Sequence, residues 1–255
     1  MIVFPNAKIN IGLFITEKRA DGYHNLETIF YPVTTSKDVL EIIECNDAES
    51  LLNTSGLSIA GDDQNNLVWR AYHLLKNKFP TKVKALEIHL HKSIPMGGGL
   101  GGGSSNGAFM LRLMNDFFQL ELNTQQLIDF AASLGSDCPF FINNKPCFAT
   151  GRGEQMTPIN LDLSAYEIKL ATSSIHCSTA EAFKGITPQK PSFDLQQLSQ
   201  LPIENWKDVV YNDFEKNIFK LYPELQKTKN DFYEAGAVYA AMTGTGSTIY
   251  GIFKK

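Results

Sequence analysis

The feature that most constrains this chain is the run Pro95-Met96-Gly97-Gly98-Gly99-Leu100-Gly101-Gly102-Gly103-Ser104-Ser105. Six of the seven residues from Gly97 to Gly103 are glycine, far more than a turn requires. Each lacks the Cβ that would hold a bulky anion away from the backbone N–H groups. Before the run, Leu86-Glu87-Ile88-His89-Leu90-His91 alternates strictly and predicts a strand. After it, Ala108 to Leu120 predicts a strongly apolar helix that begins at the two serines. Strand, glycine loop and helix in that order aim unpaired N–H groups and a positive dipole end at whatever the loop encloses, which favours a polyphosphate. Ser104 and Ser105 add hydroxyls able to donate to phosphate oxygens or to help hold Mg²⁺.

A flexible linker is also glycine-rich, but linkers lie between domains, not between a patterned strand and a buried helix. The Walker A pattern needs a Gly-Lys pair, which the chain lacks. Gly97, Gly99 and Gly102 meet the dinucleotide pattern, yet no acidic residue ends a following strand; Glu121 comes too soon after the helix.

The rest of the chain reads as mixed α and β. Ile9, Ile11, Leu13 and Ile15 alternate against Asn10, Gly12, Phe14 and Thr16, and Val39-Leu40-Glu41-Ile42-Ile43 is a second β-rich run. Asp21-Gly22 marks a turn that brings Tyr23 and His24 to a loop, where ligand contacts concentrate. Leu67 to Leu75 predicts a helix capped near Asn65 or Asn66, and Thr124 serves as N-cap for another. Leu134-Gly135-Ser136-Asp137-Cys138-Pro139-Phe140-Phe141 reads as a tight turn in which Pro139 forbids helix continuation. Beyond Gly151 come a strand at Tyr166 to Ala171 and a surface loop with at most a short helix at Thr187 to Pro202. A helix around Pro223 to Ala235 then leads to two strands flanking the turn Gly244-Thr245-Gly246-Ser247. The length of 255 residues accommodates two domains, with a boundary near residue 150: 1–150 and 151–255.

A net charge of -4 offers no basic face for nucleic acid. The longest apolar runs, such as Ala235 to Ala241, fall far short of the roughly 18–20 residues that cross a bilayer. The opening residues lack the marks of a signal or transit peptide. Cys45, Cys138, Cys147 and Cys177 are scattered as packing thiols, which with the other features predicts a cytoplasmic protein. His89 and His91 share a strand face without an apparent third ligand, so no transition metal is expected.

At this point the sequence resembles the GHMP kinases. Four segments carry the likeness: Asn6-Ala7-Lys8-Ile9-Asn10, the glycine loop, Leu134 to Phe141, and Met242-Thr243-Gly244-Thr245-Gly246-Ser247. They follow the family's order and span the chain nearly end to end. Asp21-Gly22-Tyr23-His24 and Ser104-Ser105-Asn106 are similar to the branch that phosphorylates cytidine diphosphate methylerythritol in isoprenoid precursor synthesis. Asn6, Gly107 and Ser136-Asp137-Cys138 depart slightly from the usual pattern.

The resemblance implies an α+β fold, with an N-terminal domain like ribosomal S5 domain 2, containing a left-handed crossover and binding ATP. A ferredoxin-like C-terminal domain would contribute to substrate binding. It implies ATP and Mg²⁺ as cofactors, Asp137 and Lys8 as catalytic groups, and Asn10, Tyr23, His24, Phe30 and Phe183 as acceptor contacts. Asn66 and Lys92 join the glycine loop as nucleotide neighbours. A small-molecule acceptor and ATP are the expected partners, without nucleic acid or membrane, for a monomer or weak homodimer. Other GHMP acceptors, a catalytically silent relative and a dinucleotide oxidoreductase are the rival readings; Asp-Gly-Tyr-His, the presence of Lys8 and Asp137, and the missing acidic residue weigh against each in turn.

Overall fold

The computed structural model describes residues 1–45, 49–59 and 62–255. In chain order the strands are β1 (Ile2–Val3), β2 (Asn6–Lys18), β3 (His24–Lys37), β4 (Val39–Glu44), β5 (Leu51–Gly56) and β6 (Leu86–Lys92). They continue with β7 (Cys147–Thr150), β8 (Gln155–Pro158), β9 (Tyr166–Ala171), β10 (Tyr239–Met242) and β11 (Ile249–Lys254). The helices are α1 (Leu67–Lys78), α2 (Gly102–Phe117), α3 (Thr124–Leu134), α4 (Cys138–Asn143), α5 (Thr179–Phe183), α6 (Trp206–Val209), α7 (Glu215–Leu221) and α8 (Pro223–Glu234).

The chain forms two compact units that interleave in sequence. One comprises Met1–Ala7, Val33–Met96 and Gly101–Asn144; the other comprises Lys8–Pro32, Gly97–Leu100 and Lys145–Lys255.

In the first unit a sheet ordered β1-β4-β6-β5 is antiparallel except between β5 and β6, which run parallel across the crossover that contains α1. Strand β6 buries Leu86, Ile88, Leu90 and Lys92 and turns Glu87, His89 and His91 outward, the two-residue period of a half-covered sheet. His89 pairs with Glu87 at 3.1 Å on that outer face. The inner face joins a core with Val68, Ala71 and Leu75 of α1 and Ala108, Met110, Leu111 and Met114 of α2, all fully buried. Each buried Val, Leu, Ile or Met side chain among them contributes about 1.5–3 kcal/mol.

The second unit contains the sheet β10-β11-β9, antiparallel throughout, and most of the sheet β2-β3-β7-β8. Its core gathers Leu13, Ile15, Phe214, Ile218, Leu225, Met242 and Ile249.

Several local expectations change. Strand β2 is buried on both faces from Asn6 to Ile15, since Asn10 is hydrogen-bonded and Phe14 packs on Tyr211 at 4.7 Å. Helix α2 starts at Gly102, ahead of the serines, because Gly101 adopts the left-handed conformation (φ 69°) and the next glycines are already helical. The N-cap of α3 is Asn123 rather than Thr124: its carboxamide accepts from Gln126 N while Gln126 answers the Asn123 N–H, a reciprocal capping box. Helix α3 does end at Leu134, as the turn predicts, but Pro139 then stands in the first turn of a new helix, α4, where proline costs no hydrogen bond. Within Thr187–Pro202, Leu195 to Gln200 forms a 3₁₀ turn whose Leu195 and Leu198 are fully buried.

Candidate active site

Each compact unit carries part of the machinery that the sequence pointed to. In the first, the alternation of β6 carries Lys92 inward with Leu86, Ile88 and Leu90. A buried ammonium must be paired. Asp38 supplies the charge: the Lys92 Nζ donates to Asp38 Oδ2, and both side chains are fully buried. The same carboxylate accepts from Ser93 N at 2.7 Å, Ile94 N at 2.9 Å and Asn106 Nδ2 at 2.8 Å, while Lys92 also donates to Asn106 Oδ1 at 2.9 Å. Asp38 thereby ties the end of β6 and the lead into the glycine loop to the second turn of α2. Burial pushes the Lys92 ammonium below its ordinary pKa, and Asp38 opposes that shift.

Beside this cluster lies a small cleft of about 120 Å³ lined by Asn66, Leu67, Leu90, Lys92, Met96 and Asn106. Asn66 is the N-cap of α1, its Oδ1 accepting from Val68 N at 3.0 Å, so it lines the cleft and caps the helix at once.

At the start of α2, Ser105 N donates to Gly101 O at 2.8 Å, and the preceding N–H groups of Gly102, Gly103 and Ser104 form the unpaired helix end. The Ser105 hydroxyl is buried and has no hydrogen-bond partner among the described residues. Asp137 is the N-cap residue of α4, yet its side chain makes no capping bond there. Next to it, burial pushes the Cys138 thiol up to about 11, against a hydrogen bond with Ser104 that lowers it.

In the second unit, Lys8 is buried on β2, its Nζ donating to Asn10 Oδ1 at 2.7 Å and lying 5.0 Å from the Phe30 ring centre. The Asn10 amide donates to Thr28 Oγ1 at 3.1 Å. Thr243 completes the network: its Oγ1 accepts from Asn10 N at 3.0 Å and lies 3.0 Å from Gly99 O. A Cβ on Gly99 would stand 2.1 Å from Thr243 O, and φ is +76°, so only glycine fits there. One threonine therefore fixes both the residue that orients Lys8 and a carbonyl of the glycine loop. Lys8 N also donates to Leu100 O at 2.9 Å.

His24 stacks on Phe183, with ring centres 4.7 Å apart and planes 23° from parallel. Burial, with Lys18 nearby, moves the His24 pKa down, which keeps the ring neutral near pH 7. Tyr23 is exposed and lies under the Arg152 guanidinium at 4.9 Å, a cation–π contact. Phe30 is buried.

Asp38, Asn106, Thr28 and Thr243 were not singled out in the sequence as functional. The inward parity of Lys92 could have signalled that a buried carboxylate must exist, but not which one. Thr243 lies within a segment that carried the family resemblance, but no role was assigned to it there.

Comparison with known families follows this geometry. The model of the GHMP kinases N terminal domain matches residues 66–145, and that of the GHMP kinases C terminal matches 192–255. The chain belongs to the GHMP kinase family. Within it, the chain is 48% identical over 255 residues to the 4-diphosphocytidyl-2-C-methyl-D-erythritol kinase of Bacteroides fragilis, covering 99% of this chain and 92% of that protein. It is 34% identical over 262 residues to the protein of the same name from Pelodictyon phaeoclathratiforme, covering 100% and 89%. A crystal structure of 4-(cytidine 5'-diphospho)-2C-methyl-D-erythritol kinase superimposes with a TM-score of 0.83 at 27% identity, covering 99% of this chain and 90% of that one. A mevalonate kinase structure, at 14% identity and a TM-score of 0.71, shares the fold. The α+β architecture expected of a GHMP kinase is therefore the one observed. Among the described residues no helix is long and apolar enough to cross a membrane.

Proposed function

We propose that this chain transfers the γ-phosphoryl group of ATP to the 2-hydroxyl of 4-diphosphocytidyl-2-C-methyl-D-erythritol, a step in isoprenoid precursor synthesis by the methylerythritol phosphate route. The observation that carries the reading is 48% identity across essentially the whole chain with proteins of that name. Phosphoryl transfer needs in-line positioning, charge neutralisation and a destination for the hydroxyl proton. Asp137 accepts or orients that proton, and Lys8, held by Asn10, polarises the acceptor hydroxyl and offsets developing negative charge. The N–H groups of Met96–Ser104 that are unpaired among the described residues, together with the helix dipole of α2, hold the ATP phosphates. Asn66 and Lys92 border the nucleotide in the adjoining cleft.

Mg²⁺ fits as the metal of MgATP, which commonly keeps only one or two protein oxygens and takes the rest from phosphate and water. Ser105, whose hydroxyl has no partner among the described residues, and Asp137 would hold it. When bound, it supplies charge neutralisation on the phosphoryl oxygens. Among the described residues no group of three or more His, Cys, Asp or Glu is arranged to hold a metal by itself.

On the acceptor side, Phe183 and Tyr23 give aromatic surface to the cytosine ring, and His24 bonds to its polar edge. Asn10 and Phe30 shape the floor beneath Lys8. The C-terminal half from residue 151 thus contributes to acceptor binding, and residues 1–150 carry the nucleotide loop. None of the four cysteines is in a disulfide, which suits the reducing cytoplasm.

The test is ADP release from MgATP with 4-diphosphocytidyl-2-C-methyl-D-erythritol, mevalonate, homoserine or galactose as acceptor. Turnover is expected with the cytidyl acceptor alone, and Asp137→Ala should reduce kcat by about 10²–10⁴-fold without unfolding the protein. Turnover restricted to another alcohol would refute the acceptor assignment.

A further inference from the structure

The segment between β9 and α5 presents an exposed imidazole, His176, to which no role has yet been given. Its backbone is fixed on both sides. Ile175 N donates to Ser173 Oγ at 3.0 Å, and Ser247 Oγ donates to Ile175 O at 2.6 Å. Two residues on, Ser178 and Glu181 cap α5 reciprocally, with Glu181 N to Ser178 Oγ at 3.2 Å and Ser178 N to Glu181 Oε2 at 3.0 Å. The ring held between these anchors lies against the glycine loop: a Cβ built on Gly97 would stand 3.3 Å from His176 Nδ1 and 3.5 Å from its Cε1. The next residue of the loop is also held, since Thr248 N donates to Gly98 O at 3.3 Å and a Cβ on Gly98 would meet Thr248 Oγ1 at 2.8 Å.

We propose that His176 is an anion-binding residue, donating a ring N–H to a phosphate oxygen held at Gly97. Three observations support this. The ring is exposed and the backbone beside it is anchored on both sides, so it is available to a ligand at the loop. The chain has a net charge of -4 and lacks the Gly-Lys pair of a Walker loop, so its phosphate site depends on local donors. The nearby Glu181 carboxylate, which would otherwise compete for the imidazole, already accepts from the N–H and the hydroxyl of Ser178. Imidazole keeps at least one N–H in either protonation state, so the contact does not depend on protonation. The phosphate belongs either to the ATP polyphosphate or to the diphosphate of the acceptor. The inference rests on the glycine loop being a phosphate site, as proposed above.

The experiment is calorimetric binding of ATP, adenosine, cytidine diphosphate and cytidine to the wild-type chain, His176→Ala and His176→Asn, with no acceptor turnover possible. His176→Ala should weaken one phosphate-bearing ligand by about tenfold or more while leaving both nucleosides unchanged. Asn, whose amide can donate from near the Nδ1 position, should restore most of the loss. A loss confined to ATP makes its polyphosphate the source, and a loss confined to cytidine diphosphate assigns the contact to the acceptor. Equal binding of both phosphate ligands to His176→Ala, or a parallel loss with the nucleosides, would overturn the inference while sparing the kinase reading. Failure of the wild-type chain to bind either phosphate ligand would refute the phosphate-loop reading itself.

Discussion

Replacing Asp38 by Asn removes one charge from the interior and leaves the shape almost unchanged. The carboxamide oxygen can still accept from Ser93 N and Ile94 N, which now lie 2.7 and 2.9 Å from Oδ1. What disappears is the counter-charge to a fully buried ammonium, together with the Oδ2 acceptor that Lys92 and Asn106 share. Breaking a buried pair on one side costs about 3–5 kcal/mol. At about 2–4 °C per kcal/mol for a chain of this size, the melting temperature should fall by roughly 6–20 °C. The loss should also depend on pH with a definite sign. Burial already lowers the Lys92 pKa from 10.5, and Asp38 is the group that holds it up, so the variant lowers it further. Between that depressed value and the unfolded one, the unfolded chain binds more protons, so the variant gains stability as pH rises. Urea unfolding at pH 7 and pH 9.5 should therefore show a deficit that narrows at the higher pH, and adding Lys92→Met should recover more than half of it. A deficit below about 1 kcal/mol at pH 7, or one that widens with pH, would refute the reasoning.

Thr243→Val keeps the shape but leaves Asn10 N without its acceptor and frees Gly99 O; kcat should fall about tenfold or more with only a few degrees lost in melting temperature, and an unchanged kcat in steady-state assays would show that the network does not orient Lys8. Gly107→Ala gains about 1 kcal/mol of helix propensity, but the new Cβ would stand 3.0 Å from Leu67 Cβ, and such overpacking costs about 1–3 kcal/mol. Thermal denaturation should show a small decrease in stability, and an increase would mean that the start of α1 can yield.

Much of this was legible in the sequence because period and punctuation act locally. The alternation from Leu86 to His91 gave β6, and Asn66 capped α1 as its side chain requires. The glycine loop was visible because Gly97, Gly99 and Gly101 take positive φ, which favours glycine. Non-local contacts were not legible. Asp38 stands beside a β-rich run with nothing to announce that it would bond to residues 54 to 68 positions away. The burial of both faces of β2 depends on Tyr211, far along the chain, and no period in Ile9 to Ile15 encodes it. The early start of α2 was missed because glycines are poor helix formers, and here the left-handed Gly101 and the loop geometry override that preference.

The buried thiol beside Asp137 has a consequence for how this protein meets reactive chemistry. With its pKa pushed up to about 11, Cys138 is ionised in roughly one molecule in ten thousand at pH 7, and the thiolate is the form that attacks electrophiles. A covalent inhibitor aimed at Asp137 would find a sulfur next door that does not respond, and peroxide would find no sensor there. On the proposed reading of this site, oxidation of Cys138 is not the route by which peroxide would silence it.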